Sequence, residues 1–125
     1  MTHAHSRELS GFVRRLQEPR TPHISPKRLS QLLGVEMANL ARLTGVHPNT
    51  LRNPSSEQLQ GRMRDMVTAI SAATEHTGAV DKAIHWYRNG IIAEYGHRTA
   101  EELVADGRVE AVLAFLRDLE NGARG

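Results

Sequence analysis

The hydrophobic pattern along the chain is helical almost throughout. Leu9, Phe12, Val13 and Leu16 recur at a spacing that gives about two turns of amphipathic helix, which Pro19 and Pro22 end. Ser25–Pro26 is a helix start: Ser caps, and Pro fits the first helical position because its missing N–H has no partner there anyway. Leu29, Leu32 and Leu33 form the apolar face of that helix, and Gly34 stops it. Residues 56–76 predict a long helix with Leu59, Met63, Met66, Val67, Ile70 and Ala73 in one arc. Ala79–Arg88 is the next helix, with Val80, Ala83, Ile84 and Tyr87 at i, i+3, i+4 and i+7, before Asn89–Gly90 breaks it. Thr99 and Glu102 form a capping box that opens a short helix ending at Gly107. Arg108–Glu120 is the last helix. Its apolar residues Val109, Val112, Leu113, Phe115, Leu116 and Leu119 cover a wider arc than a core stripe needs, with Phe115 at one edge and Leu113 at the other. Asn121–Gly122 is expected to end it, leaving a short tail. No segment alternates with period two for long enough to make a strand, and the one β-tempting stretch, residues 90–95, is short and isolated. The fold class expected is all-α.

Between the capped helix and the long one lies a second pattern. Ala41 and Gly45 are four residues apart, Val46 is next, and Leu51 lies six beyond Gly45. This is helix-turn-helix spacing: the small Ala lets the second helix approach, Gly supplies the turn, and Val46 and Leu51 pin the second helix. On the DNA-binding reading, Asn49, Thr50 and Arg52 reach base edges while Arg28 or Arg42 contacts phosphate. Against it, Pro48 and Asn53–Pro54 leave a second helix barely longer than one turn, because Pro54 disfavours helical backbone at Asn53. The motif then serves as a packing unit or a dimerisation surface.

Composition narrows the function classes. Absence of Cys removes disulfides, thiolate metal sites and Cys nucleophiles. Aromatics at 4% argue against a stacking platform for single-stranded nucleic acid. The seven His form neither a His-x₃-His nor a His-Glu-x-x-His pattern, so no metal is expected, and no phosphate loop or nucleophile elbow is present. An enzyme and a cofactor are therefore not expected. With no apolar run of transmembrane length, a cytoplasmic address and no membrane partner are expected. The net charge of +2 conceals a gradient: residues 1–90 sum to +5 and residues 91–125 to −3. Arg14, Arg15, Arg20, Lys27 and Arg28 supply much of the basic front and suit salt-dependent attraction to phosphate. Glu94, Glu101, Glu102, Asp106 and Glu110 cluster in the acidic back, as a solvated face or as groups that meet a basic partner.

From about Ser25 to Gly122 the chain resembles antitoxins of the Xre/MbcA/ParS type. The series Ala83-Ile84-His85-Trp86-Tyr87, Tyr95-Gly96, Thr99-Ala100-Glu101-Glu102-Leu103-Val104, Gly107, Val112, Leu116 and Gly122 carries the resemblance. Ala100 stands where the family often has Pro, and Asn89–Gly90 where a Pro is common shortly after the Trp. The polar N-terminal stretch, residues 1–24, reads as a loosely attached arm outside the resemblance. The resemblance implies an Xre-like helix-turn-helix region with a long connecting helix (25–78) and a small helical toxin-binding domain (79–125). It implies a non-enzymatic partner of a RES-domain toxin that degrades NAD or transfers its ADP-ribose, with the antitoxin occluding the NAD-binding cleft. It also implies a homodimer within a larger toxin–antitoxin complex, and operator DNA as a further partner. The toxin-contacting residues expected are Leu113, Phe115, Leu116, Arg117, Glu120, Asn121, Gly122 and Arg124, on the exposed edge of the last helix and the tail. The C-terminal carboxylate suits a site built for the pyrophosphate of NAD. Trp86 reads as a core anchor. The reading from another class is a DNA-binding transcriptional regulator without a toxin partner.

Overall fold

Chain punctuation sets the ends of nearly every element in the computed structural model, which describes residues 11–124 and the side chains of 11–122. Leu9, His3, His5 and Gly125 lie outside the described residues. The chain is largely helical and forms two compact units, Met1–Arg64 and Asp65–Gly125. The division falls inside the long helix, which gives its first two turns to one unit and the rest to the other.

In the first unit, helix α1 (residues 11–16 of the described chain) buries Phe12 and Leu16. The chain then turns back through an exposed loop in which Arg20 takes a left-handed backbone (φ 65°). Gln17 pairs with Ile24 across this turn, and the Glu18 N–H donates to the His23 carbonyl at 2.8 Å. The loosely attached arm expected from the sequence is therefore corrected: residues 11–24 are stitched to the unit and supply three of its core side chains, Phe12, Leu16 and Ile24. Helix α2 (Pro26–Leu33) starts as expected, with Ser25 Oγ accepting from the Arg28 N–H at 3.1 Å. Gly34 ends it at φ 72°. Helix α3 (Met37–Thr44) ends at Gly45, also left-handed, and the Val46 N–H returns to the Ala41 carbonyl at 3.1 Å. A five-residue 3-10 helix, Pro48–Arg52, comes next.

Helix α4 (Glu57–Thr77) begins in the first unit and carries its main long-range polar clasp. Gln60 is buried. Its Oε1 accepts from the Ile24 N–H at 2.9 Å, and its Nε2 donates to the Ile24 carbonyl at 2.9 Å and the Pro54 carbonyl at 2.7 Å. One amide thus serves as a strand partner for Ile24 and ties down the loop before α4.

In the second unit, Met66, Val67, Ala69, Ile70 and Ala73 of α4 are buried, and Gly78 (φ 83°) releases the chain into α5 (Val80–Asn89). The short 90–95 stretch becomes strand β1 (Ile91–Ile92), antiparallel to β2 (Arg98–Thr99) with Ile91 opposite Thr99. This small sheet qualifies the all-α expectation; two-residue strands are too short to display a period. Helix α6 (Ala100–Ala105) has the full capping box: Thr99 Oγ1 accepts from the Glu102 N–H at 3.1 Å, and the Thr99 N–H donates to Glu102 Oε1 at 2.9 Å. Helix α7 runs Val109–Arg124. It does not stop at Asn121–Gly122, so the expected separate tail is corrected: those residues lie on its last turns. Glycine ends a helix by taking a left-handed conformation, and Gly122 does not. No helix among the described residues is long and apolar enough to cross a membrane.

Candidate functional site

Helix α7 has three kinds of apolar position. Val112 and Leu116 are buried in the core of the second unit. Leu116 was expected on an exposed edge; at 4% exposure it is packing, not surface. Leu113, at one edge, is half-buried and lines a groove of about 220 Å³ with Ala72, Glu75 and His76 of α4 and with Leu116, Arg117 and Glu120. Phe115, at the other edge, is half-buried and stacks on Trp86 of α5, with ring centroids 6.1 Å apart and planes 5° from parallel. One turn beyond Phe115, Leu119 is 47% exposed.

The Trp86 ring is held from behind by Gly90. A Cβ built there lies 2.4 Å from Trp86 Cδ1, 2.6 Å from Nε1 and 2.9 Å from the Trp86 carbonyl oxygen. Its backbone (φ −72°, ψ 123°) suits any residue, so close approach, not conformation, is what requires glycine. Trp86 is half-buried rather than a fully enclosed anchor. Around Leu119, the side chains of Arg117, Asp118, Glu120 and Asn121 are exposed, as is Gly122. The backbone of Arg124 continues the helix, and its side chain lies outside the described residues.

Three of the five clustered acids are engaged within the unit. Glu101 is buried and accepts from Arg88 Nε at 3.0 Å. Asp106 pairs with Arg98, and Glu102 completes the capping box. Glu94 and Glu110 are exposed. Arg108 lies over the Tyr95 ring at 5.5 Å. Tyr87 is fully buried, and its hydroxyl has no hydrogen-bond partner among the described residues. Burial, with the negative charge of Glu101 and Asp65, pushes its phenol well above the usual tyrosine range.

In the first unit, Arg42, Asn49 and Arg52 are exposed and Thr50 is half-buried. Arg28, though exposed, donates through Nη1 to the Gln17 carbonyl at 2.6 Å and the Arg15 carbonyl at 3.3 Å. It ties α1 to α2, a role the sequence pattern did not give it. The second helix of the expected helix-turn-helix is the 3-10 segment, with the Asn49 N–H donating to His47 Nδ1 at 3.1 Å. The sequence pattern also did not single out Leu119 as the exposed member of the α7 stripe, or Glu75–His76 as a groove wall. Leu119 falls inside the arc bounded by Phe115 and Leu113, so helical spacing alone did not mark it as the exposed member. Among the described residues, no three His, Asp or Glu side chains gather as a metal site. Comparison with family models, curated proteins and solved structures found no match to this chain.

Proposed function

We propose that the chain is the antitoxin of a type II toxin–antitoxin pair, acting as a protein–protein inhibitor of a RES-domain, NAD-consuming or ADP-ribosylating toxin. The observation that carries this reading is the surface of α7. A large exposed side chain, Leu119, stands one turn beyond an aromatic pair and between exposed Asp118 and Glu120. An apolar anchor ringed by charge is the composition of an interface centre with a selective rim. The resemblance of the second half to Xre/MbcA/ParS antitoxins supplies the kind of partner.

On this reading the first unit is an Xre-like helix-turn-helix bundle and the second is the toxin-binding domain. Phe115, held by Trp86, fixes the rotation of α7, so that Leu119, Arg117, Glu120 and Asn121 meet the rim of the toxin's NAD cleft. Inhibition is steric, with no bond made or broken by the antitoxin. Leu113 and the α4 groove lie on the opposite edge and accept a side chain from the partner. The alternative is a DNA-binding regulator without a toxin, supported by exposed Arg42, Asn49 and Arg52. A five-residue 3-10 helix presents few side chains to base edges.

Co-expression with an adjacent open reading frame of RES type tests the proposal. Growth arrest by that frame alone, relieved by this chain, is expected. Arrest that persists in the presence of the folded chain overturns it.

A further inference from the structure

The charge gradient sharpens when it is counted over the two structural units. Met1–Arg64 carries ten basic and four acidic side chains, net +6, and Asp65–Gly125 carries six and ten, net −4. In each unit an apolar feature carries charge of that unit's sign. In the first unit it is the groove between α1 and α2, of about 540 Å³. Phe12 and Leu16 of α1 and Leu32 of α2 form its apolar part, and its polar groups are Arg15, Arg28 and Gln31. Among the described residues no acid lines it. The bonds from Arg28 to the Arg15 and Gln17 carbonyls tie the two walls together, so the groove is formed before anything enters it. The α4–α7 groove differs: Glu75 and Glu120 share it with Arg117, so it selects no single sign.

In the second unit the feature is Leu119. Three large apolar side chains stand exposed among the described residues, Met37, Ile91 and Leu119. Ile91 lies between Gly90 and Ile92, and Met37 has an acid, Glu36, on one side only. Leu119 lies between Asp118 and Glu120, which an α-helix places about 100° to either side of it. An apolar side chain flanked by acids is the complement of an apolar groove edged by arginines.

We infer that the α1–α2 groove seats the α7 surface around Leu119 of a second copy of this chain. Leu119 packs on the apolar part of the groove, and Asp118 meets Arg15, while Arg28 stays bound to the carbonyls. This is the helix-in-groove mode of recognition, with charge setting the choice of helix. The contact joins two different surfaces, so each copy added leaves one groove and one α7 open. Association therefore continues past a dimer unless it closes a ring, unlike a symmetrical homodimer in which one patch meets itself. One groove and one helix end make a small interface, so the association is weak and reversible. It is also salt-sensitive, because Arg15 and Asp118 are both exposed. The association stands apart from the antitoxin reading. A single consequence rests on that reading: a toxin docked on Leu119 displaces the second copy.

The test is sedimentation velocity of the full chain alone, over rising concentration at low and at high salt. The mean mass should rise past that of a dimer, or to that of a closed ring larger than a dimer, and high salt should lower it. R15E and D118R should each weaken the association about tenfold, by setting like charges against each other. The double variant R15E/D118R restores opposite charges across the contact and should recover to within about threefold of the parent. L119E should weaken it at least about tenfold, and no charge swap should rescue it. Circular dichroism and melting temperature of every variant should match the parent. Any of three results overturns the inference: a chain that stays monomeric at low salt, leaving the groove to a different acidic partner; an assembly whose mass L119E, R15E and D118R leave unchanged; or folded single variants whose loss the double variant does not recover.

Discussion

Replacing Gly90 with Ala isolates the contact that orients the C-terminal helix. The backbone there is extended, so Ala adopts it without strain, and restricting the unfolded chain alone would stabilise by about 0.4–1 kcal/mol. The new methyl, however, would sit 2.4 Å from Trp86 Cδ1 and 2.9 Å from the Trp86 carbonyl oxygen. The indole must move, and the carbonyl cannot shift with it without disturbing the Gly90 N–H bond it accepts at 2.7 Å. Overpacking of this kind costs about 1–3 kcal/mol. Displacing the ring also weakens a stack on Phe115 worth about 0.5–1.5 kcal/mol. The net expectation is destabilisation of about 1–3 kcal/mol. Urea unfolding monitored by tryptophan fluorescence reads it directly, because Trp86 is the single Trp. The same experiment should show an altered folded-state emission spectrum. If Gly90→Ala leaves the spectrum unchanged and the protein equally or more stable, the packing of Gly90 behind Trp86 is wrong.

Other expectations come from buried polar groups and caps. Tyr87→Phe removes a buried hydroxyl that has no partner and should be neutral or stabilising by about 1 kcal/mol in thermal unfolding. The parent should lose stability as pH rises above the usual tyrosine value near 10, because the unfolded chain releases the phenolic proton first; the variant should lack this component. Gln60→Leu strands the Ile24 amide and carbonyl and the Pro54 carbonyl, and should cost about 3 kcal/mol in chemical denaturation. Thr99→Ala dismantles the capping box of α6 and should cost about 1 kcal/mol in the same assay.

Local chemistry was legible in the sequence wherever one residue decides an element's end. Ser25–Pro26, Gly34, Gly45 and the Thr99–Glu102 box each mark a boundary that the structure keeps. Non-local ties were not. The Gln60–Ile24 clasp joins residues 36 apart, and neither residue type announces it. Without that clasp and Arg28, α1 reads as a loose arm; with them it is core. The end of α7 was misjudged because Asn-Gly is a turn signal only where the chain takes the left-handed conformation.

The candidate surfaces divide in the same way. The breadth of the α7 stripe and its two edge residues came from helical periodicity, and each edge does meet something: Phe115 meets Trp86, and Leu113 meets α4. Which member stays exposed depends on the neighbouring helices, so Leu119 stood out only in the fold. Leu116 fell to the core for the same reason. The basic front was visible as a count, but its use needed the structure, which diverts Arg28 to backbone carbonyls and leaves Arg14, Arg15 and Lys27 exposed and free of ion pairs.

The central proposal rests on α7 as a docking surface, and titration calorimetry of the purified RES-type toxin with the full chain and with Leu119→Glu tests it most directly. The parent is expected to bind and to abolish NAD consumption at saturation. The variant should keep its helical content and melting temperature while binding at least about 30-fold more weakly, the loss of one interface anchor. Equal affinity of parent and variant, or no binding by the folded parent, would contradict a docking role for α7.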